Sequence, residues 1–176
     1  YVRGNAGHLV LPPAANDEAA AQALVNQLAG QDVQRVVVAV QPSESWDGSE
    51  IASRALARVY RLVGETPTGD WRVQIYDRPP AVLSPAGIAF ANGLQLEGAA
   101  VPGKRLSPGD VMPVYLQWRG EDVSLSGNEK ITVQLLDAGN RVVAQLDRPF
   151  GQADLEAEPA AYALSLPRAL PGDPIA

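Results

Sequence analysis

The chain lacks cysteine and contains one histidine, His8, and one methionine. Without cysteine there can be no disulfide framework, zinc ribbon, iron–sulfur site or thiol nucleophile. With one histidine there can be no histidine-rich metal site, and any Ser-His-Asp triad would have to use His8. The composition therefore excludes several large classes of enzyme and metal site, and we expect no cofactor and no metal.

Basic residues are also scarce, because 14 Lys and Arg stand against 20 Asp and Glu, which makes the formal net charge −6. A nucleic-acid-binding protein needs a basic surface that displaces counterions from phosphates. No apolar run approaches the ~20 residues of a membrane-spanning helix, and the sequence shows no signal peptide. We therefore expect a chain that is itself soluble and has no nucleic-acid partner.

Turn-forming residues are abundant instead, with 16 Gly and 15 Pro among 176 residues, which predicts many short strands. The first residue is Tyr1 and not methionine, which indicates a piece of a longer protein. The pattern of the chain changes near the stiff Pro79-Pro80 pair. We therefore expect two units, at residues 1–78 and 79–176.

Residues 1–78 alternate between strand and helix patterns. Asn16 is placed to cap a helix that Gly30 ends, and Asp47 and Glu50 resemble a capping box before a second helix that Gly64 ends. Strand patterns occupy residues 8–11, 33–40 and 71–76. This order predicts a small βαβαβ unit, a three-layer α/β arrangement with a parallel sheet.

Residues 79–176 contain only strand patterns. Apolar residues alternate in five segments, and turn signals separate them, at residues 88–96, 111–118, 131–135, 142–146 and 162–166. Such spacing is typical of an antiparallel β-sandwich, with a hairpin turn at residues 137–140. The last ten residues carry three prolines and no strand pattern, which indicates either an irregular tail or a sandwich truncated before its last strand.

One loop carries the candidate ligand site. Trp46 follows the strand at residues 33–40 together with Ser43, Glu44 and Ser45. Ligands of open α/β sheets bind at the carboxyl ends of strands, and sugars stack their apolar faces on aromatic rings. The alternative is that Trp46 packs on the second helix as a hydrophobic staple.

The remaining aromatic and acidic residues fit structural roles. Trp71, Tyr115 and Trp118 lie on strand patterns, which favours packing in a core or between units. Several aspartates lie at strand ends, where aspartate normally closes turns. Glu44, with Asp47 and Glu50, could attract a hard cation, but capping already explains the last two, so no metal site is predicted.

Further stretches carry a family resemblance. They are residues 90–98 (Phe-Ala-Asn-Gly-Leu-Gln-Leu-Glu-Gly), 108–110 (Pro-Gly-Asp), 114–118, 133–137 and 144–149. With the small α/β segment before them, they resemble the C-terminal extracytoplasmic region of bacterial membrane glycosyltransferases of the dolichyl-phosphate-mannose mannosyltransferase type. The resemblance covers roughly residues 8–167. It departs from the pattern at Ala99-Ala100, where an aromatic residue is expected, and after Pro149, where Trp-x-x-Gly is missing.

The resemblance implies a non-catalytic extracytoplasmic accessory domain, attached to the membrane domain of its parent protein. Its role would be structural, or the recognition of a glycan or a lipid-linked acceptor. The catalytic acidic residues of the family lie in its membrane part, so no catalytic residue is assigned here. Two alternatives stay open, namely a free-standing carbohydrate-binding module that uses Trp46 and a hydrolase that uses His8 with a serine and an aspartate.

Overall fold

The computed structural model describes Gly7 and residues 9–41, 43–103, 106–120, 123 and 125–168. The chain divides into two compact units, Tyr1–Arg78 and Pro79–Ala176, and each has its own hydrophobic core. None of the helices in the described ranges is long and apolar enough to cross a membrane. His8, on which the hydrolase hypothesis depends, and the tail after Arg168 lie outside the described residues.

The first unit contains two helices and a three-stranded antiparallel sheet. In chain order its elements are α1 (Glu18–Gly30), β1 (Arg35–Val40), a 3-10 turn (Gly48–Glu50), α2 (Ile51–Ala57), β2 (Arg61–Thr68) and β3 (Trp71–Asp77). The strand order is β1-β3-β2, and β3 runs antiparallel to both neighbours. Strands β1 and β2 therefore run in the same direction, but β3 separates them.

The predicted three-layer α/β unit with a parallel sheet is wrong, and a hairpin is the physical reason. Helix α2 ends at Ala57, and Gly64 does not cap it but lies in β2 opposite Ile75. Gly69 and Asp70 form a two-residue loop, in which Gly69 has the positive φ of 61° that such tight loops require. The loop makes β2 and β3 adjacent and antiparallel, and β3 also pairs antiparallel with β1. The strands predicted at residues 33–40 and 71–76 are therefore neighbours, but they run in opposite directions. Residues 9–11, in the predicted first strand, form no strand.

Both helices of the first unit pack against one face of its sheet. The buried core residues are Ala21, Val25, Ile51, Ala55, Leu56, Tyr60 and Tyr76. Val36 and Val38 of β1 pack against this core, whereas Val37 between them is 60% exposed. Because successive side chains of a strand point to opposite faces, the second face of the sheet is open.

The second unit consists of two antiparallel sheets around one core. Its elements are β4 (Ser84–Ala89), β5 (Gln95–Ala100), β6 (Val111–Arg119), β7 (Lys130–Leu136), β8 (Val142–Pro149), α3 (Gln152–Glu156) and β9 (Ala160–Ser165). One sheet has the order β4-β5-β6-β9, and the β7-β8 hairpin forms the other. Val114, Ile131 and Ala144 bring both sheets into one apolar cluster. This arrangement is consistent with the predicted β-sandwich, and the hairpin turn at residues 137–140 is confirmed.

A buried polar network crosses the core of the second unit. Asp154 of α3 accepts hydrogen bonds from the Tyr162 hydroxyl at 2.9 Å and from Arg148 Nη2 at 2.5 Å. The indole Nε1 of Trp118 donates to the Tyr162 hydroxyl at 3.0 Å. The Arg148 guanidinium also lies 4.4 Å from the centre of the Tyr162 ring. The network therefore connects β6, β8 and β9 to α3, a helix that the sequence analysis did not predict.

Candidate functional site

A shallow depression of about 160 Å³ lies at one end of the sheet of the first unit. Its lining residues are Val40, Ser43, Glu44, Asp47, Gly48, Ser49, Glu50 and Arg72. Val40 and Arg72 pair across β1 and β3, so the depression lies where β1 ends and β3 begins. The loop between β1 and α2 supplies most of its wall.

The side chain of Asn16 holds this loop in place. Its Oδ1 accepts a hydrogen bond from the backbone N–H of Gly48 at 2.6 Å, and its Nδ2 donates to the carbonyl oxygens of Glu44 at 3.1 Å and Ser45 at 3.3 Å. The backbone N–H of Asn16 also donates to the carbonyl oxygen of Trp46 at 2.8 Å. A Cβ at Gly48 would lie 2.9 Å from Asn16 Oδ1, so a larger residue there would displace the Asn16 amide from this position.

The predicted cap of α1 is therefore displaced by one residue. Asp17, not Asn16, is the N-cap, and its side chain accepts a hydrogen bond from the N–H of Ala20 at 2.8 Å. Asn16 has a φ of 53°, in the left-handed region where asparagine is better tolerated than most residues. Its side chain is thus directed to the 43–48 loop and not to the helix.

Two consecutive residues before α2 have left-handed backbone conformations. Ser49 has a φ of 59° and Glu50 a φ of 55°, and both line the depression. Such conformations cost roughly 1–3 kcal/mol per residue and persist only where neighbouring contacts impose them. Asp47 provides one such contact, since its Oδ1 accepts a hydrogen bond from the N–H of Ala52 at 3.0 Å. The expected capping box is therefore not formed, because Glu50 is the N-cap residue of α2 and its side chain pairs with Arg72, while Asp47 bonds to the helix from the N-cap position of the preceding 3-10 turn.

Arg72 is the cationic group of the depression. Its Nη2 lies 3.0 Å from Glu50 Oε1, and its Nη1 lies 4.0 Å from Glu65 Oε2. The hydrogen bond to Glu50 raises the pKa of the Arg72 guanidinium above its usual value, and Glu65 adds to this effect. The buried Nε of Arg72 has no hydrogen-bond partner among the described residues.

A second set of polar side chains lies behind Arg72 on the same face of β3. The buried Gln74 donates from Nε2 to Glu65 Oε2 at 2.6 Å and accepts at Oε1 from Tyr76 at 3.1 Å and from Ser53 at 3.3 Å. Burial raises the pKa of Tyr76, so its hydroxyl keeps the proton that it donates. These hydrogen bonds hold in place the side chains that neighbour Arg72 on this face of β3.

Two of the four predicted site residues line the depression, and two do not. Ser43 and Glu44 line the depression, whereas Ser45 and Trp46 do not belong to its lining. The hydroxyls of Ser43 and Ser45 are 3.1 Å apart, and the N–H of Trp46 donates to the carbonyl oxygen of Ser43 at 3.2 Å. Trp46 is 43% exposed and does not belong to the core cluster of this unit.

Arg72, Ser49 and the role of Asn16 were not predicted from the sequence. A signal for Arg72 was present, since Arg72, Gln74 and Tyr76 share one face of β3, and polar residues on a core-facing side are unusual. The expectation for Trp71 was also wrong, because its side chain is 45% exposed, whereas Tyr115 and Trp118 are buried as expected.

Within the described ranges, no group of three or more His, Cys, Asp or Glu side chains is arranged to hold a metal ion. Comparison of the chain with protein-family models, with curated proteins and with solved structures finds no match.

Proposed function

We propose that this chain is a non-catalytic recognition domain that binds one sugar residue of a glycan or a lipid-linked acceptor in the depression of its first unit. The observation that carries the proposal is the chemistry of the wall. Two serines, three acidic residues and Arg72 line a small volume, and the exposed Trp46 lies on the same loop. Sites for small ligands combine a few converging polar groups with an aromatic surface in this way.

The charges of the wall favour a neutral ligand. Glu44, Asp47 and Glu50 contribute three carboxylates, whereas Arg72 contributes one guanidinium that is paired with Glu50. An anionic ligand would be repelled at short range, while the hydroxyls of a neutral sugar can donate to carboxylates and accept from serine. We therefore expect hexoses to bind better than uronic acids.

The contacts of Asn16 support a preformed site. Because this side chain bonds to three backbone groups of the loop, the loop loses less conformational freedom when a ligand binds. The strained residues Ser49 and Glu50 lie in the same wall, as strained residues often do at ligand sites.

The wider assignment rests on the family resemblance. On that basis the domain belongs to the extracytoplasmic face of a membrane glycosyltransferase-like protein and presents a glycan or an acceptor to the membrane domain. The sequence encoded before Tyr1 tests this part, because membrane-spanning helices are expected there. Their absence would favour a free-standing carbohydrate-binding module.

Binding can be tested by titrating the isotope-labelled full chain with methyl α-mannoside, short manno-oligosaccharides and a uronic acid, followed by amide NMR spectra. We expect shifts at the amides of residues 43–50 and Arg72 with the neutral sugars. Trp46→Ala should weaken binding roughly fivefold to tenfold through loss of the stacking surface, and Glu44→Ala should weaken it by a similar factor.

Trp71→Ala is the matched control, since Trp71 is exposed to the same degree as Trp46 but lies on β3 and not on the loop that carries the proposed site. It should leave the affinity within about twofold. Shifts outside the first unit, or an affinity that survives both Trp46→Ala and Glu44→Ala, would show that the proposed site is wrong.

A further inference from the structure

The turn between β4 and β5 contains Asn92 and Gly93, a pair that takes no part in the depression of the first unit. Asn92 is the only asparagine of the sequence that a glycine follows. The backbone nitrogen after an asparagine can attack the side-chain amide carbon and close a five-membered succinimide ring. Glycine has no Cβ that would shield this nitrogen. Of all the asparagines in the sequence, Asn92 is therefore the one at which this ring closes most easily.

The surroundings of the pair leave room for the ring. Asn92 and its neighbours Ala91 and Gly93 are exposed. Among the described residues, a Cβ built at Gly93 would meet only the side chain of Val123, at 3.8 Å. The Nδ2 of Asn92, which would leave as ammonia, donates no hydrogen bond within the described ranges. Neither crowding nor a bond to the leaving group therefore opposes the reaction.

One hydrogen bond folds the side chain of Asn92 along the backbone. Its Oδ1 accepts from the N–H of Leu94 at 3.3 Å, which is the Asx turn that asparagine often forms with the residue two positions later. The bond directs the amide group along the peptide that joins Asn92 to Gly93, toward the attacking nitrogen. The same N–H donates to the oxygen that gains negative charge as the ring closes, which stabilises the intermediate.

A second hydrogen bond slows the reaction in the folded chain. The N–H of Gly93 donates to the carbonyl oxygen of Phe90 at 3.1 Å, and this bond must open before the nitrogen can attack. Because the turn is exposed, local fluctuations can open the bond without unfolding of the unit. We therefore expect the folded chain to react roughly tenfold more slowly than the chain in urea, which is the effect of about one hydrogen bond.

An aspartate before glycine can close the same ring, and Asp47-Gly48 is such a pair. Here both reacting groups are held by residues outside the pair. The N–H of Gly48 donates to Asn16 Oδ1 at 2.6 Å, and Asp47 Oδ1 accepts from the N–H of Ala52 at 3.0 Å. The fold therefore protects Asp47-Gly48 better than Asn92-Gly93.

We propose that Asn92 is a site of spontaneous deamidation. The backbone nitrogen of Gly93 bonds to Cγ of Asn92, the Cγ–Nδ2 bond breaks, and the amide leaves as ammonia with the proton that Gly93 gives up. Water then opens the ring at either carbonyl, which gives aspartate or isoaspartate at position 92 and adds one negative charge. The reaction needs no oxidant, reductant or enzyme, so modified chains accumulate with age.

The two products should affect the second unit differently. Aspartate keeps an acceptor for Leu94 and an unchanged backbone. Isoaspartate carries the main chain through the former side chain and so adds one backbone atom to a turn that the bond from the Phe90 N–H to the Leu94 carbonyl oxygen closes at 2.8 Å. The ring of Phe90 lies 6.0 Å from that of Trp118. Isoaspartate should therefore loosen both the turn and this aromatic contact.

The first test ages the full chain in mildly alkaline buffer, with and without urea, and follows its peptides by mass spectrometry. We expect the peptide with Asn92 to gain about 1 Da, because oxygen replaces NH, and to separate into two products. In the folded chain the peptides with the other asparagines should stay unchanged over the same period, and Asn92→Gln should abolish the gain. A gain in urea with none in the folded chain would show that the turn protects Asn92 and would overturn the proposal.

Arg141→Gly is the matched control, because it places glycine after Asn140 in the exposed β7-β8 turn. The side chain of Asn140 forms no hydrogen bond within the described ranges, while the N–H of residue 141 donates to Asp137 Oδ1 at 3.0 Å. In urea the two Asn-Gly pairs should react equally. In the folded variant Asn92 should react about fivefold faster than Asn140, since only Asn92 has the bond to Leu94. Equal rates in the folded variant would refute the role of the Asx turn.

The last test separates the two products and measures their urea unfolding by Trp118 fluorescence in a Trp46→Phe, Trp71→Phe background. The isoaspartate form should unfold at a lower urea concentration than the aspartate form, and Asn92→Asp should match the latter. Equal midpoints for the two forms would contradict the expected loosening of the turn, whatever the outcome of the sugar titration.

Discussion

Replacement of Asp154 by alanine should lower the free energy of unfolding of the second unit by about 3 kcal/mol. The carboxylate is buried and bonds to Arg148 through both oxygens, at 2.5 Å and 3.2 Å. It also accepts from the Tyr162 hydroxyl and from the N–H of Gly151, at 2.9 Å and 3.0 Å. The variant would leave a partly buried guanidinium and a buried hydroxyl without their acceptor, which costs more than the bonds contribute.

The protonation of Tyr162 strengthens this expectation. Burial, and to a smaller extent the hydrogen bond to Asp154, raises the pKa of Tyr162 well above its usual range. The hydroxyl therefore stays protonated and donates to the carboxylate while it accepts from the indole of Trp118. Because the members act together, Asp154→Ala and Tyr162→Phe should not be additive, and the double variant should lose less stability than the sum of the two.

Asp147→Ala is the matched control for this prediction. Asp147 lies on β8 next to Arg148 and bonds to Thr132 and Gln145, but it is exposed. Its loss should cost less than about 1 kcal/mol. Urea unfolding followed by Trp118 fluorescence, in a background with phenylalanine at Trp46 and Trp71, measures all variants in the second unit. Equal losses for Asp154→Ala and Asp147→Ala would contradict a stabilising role of the network.

Most strands of the second unit could be predicted, because their alternating pattern is a local property of the sequence, although the segment predicted at residues 88–96 is divided between β4 and β5. In β6, for example, Met112, Val114 and Trp118 alternate with less apolar positions, which is the two-residue period of a strand. Turn residues precede them and mark where the strand begins. Helix α3 has only five residues, too few for a helical period to show. Its contribution depends on Asp154 reaching Arg148 and Tyr162, and such contacts between distant residues leave no periodic signal.

The first unit was predicted less well because one apolar segment fits two patterns. Leu62 and Val63 extend the helical stripe of α2, and Gly64 looks like its natural end. The alternative, a strand that returns through Gly69-Asp70, has the same apolar residues and ends at a tight turn. The loop with Ser43 and Glu44 was still located, because it follows β1 whichever way the next strand runs. Arg72 could not be placed beside it without knowing that β3 pairs with β1.

Replacement of Asn16 tests whether the shape of the depression depends on one side chain. Asn16→Ala should lower the free energy of unfolding of the first unit by about 2 kcal/mol, because it removes the bonds to Gly48, Glu44 and Ser45 and places a Cβ-bearing residue without local support at a φ of 53°. It should also shift the amide resonances of residues 43–50. The bonds are exposed to water, which keeps the expected loss moderate.

Three further variants separate the causes of that loss. Asn16→Gly removes the same bonds but adopts the left-handed conformation readily, so it should be more stable than Asn16→Ala by about 1 kcal/mol. Asn16→Asp keeps an acceptor for Gly48 and loses the donors to Glu44 and Ser45, so it should fall between the alanine variant and the natural chain. Asn26→Ala, at a helical asparagine of α1, should have almost no effect because alanine favours the helix. If Asn16→Ala were no more disruptive than Asn26→Ala, the loop would be held by its backbone alone and the argument for a preformed site would be lost.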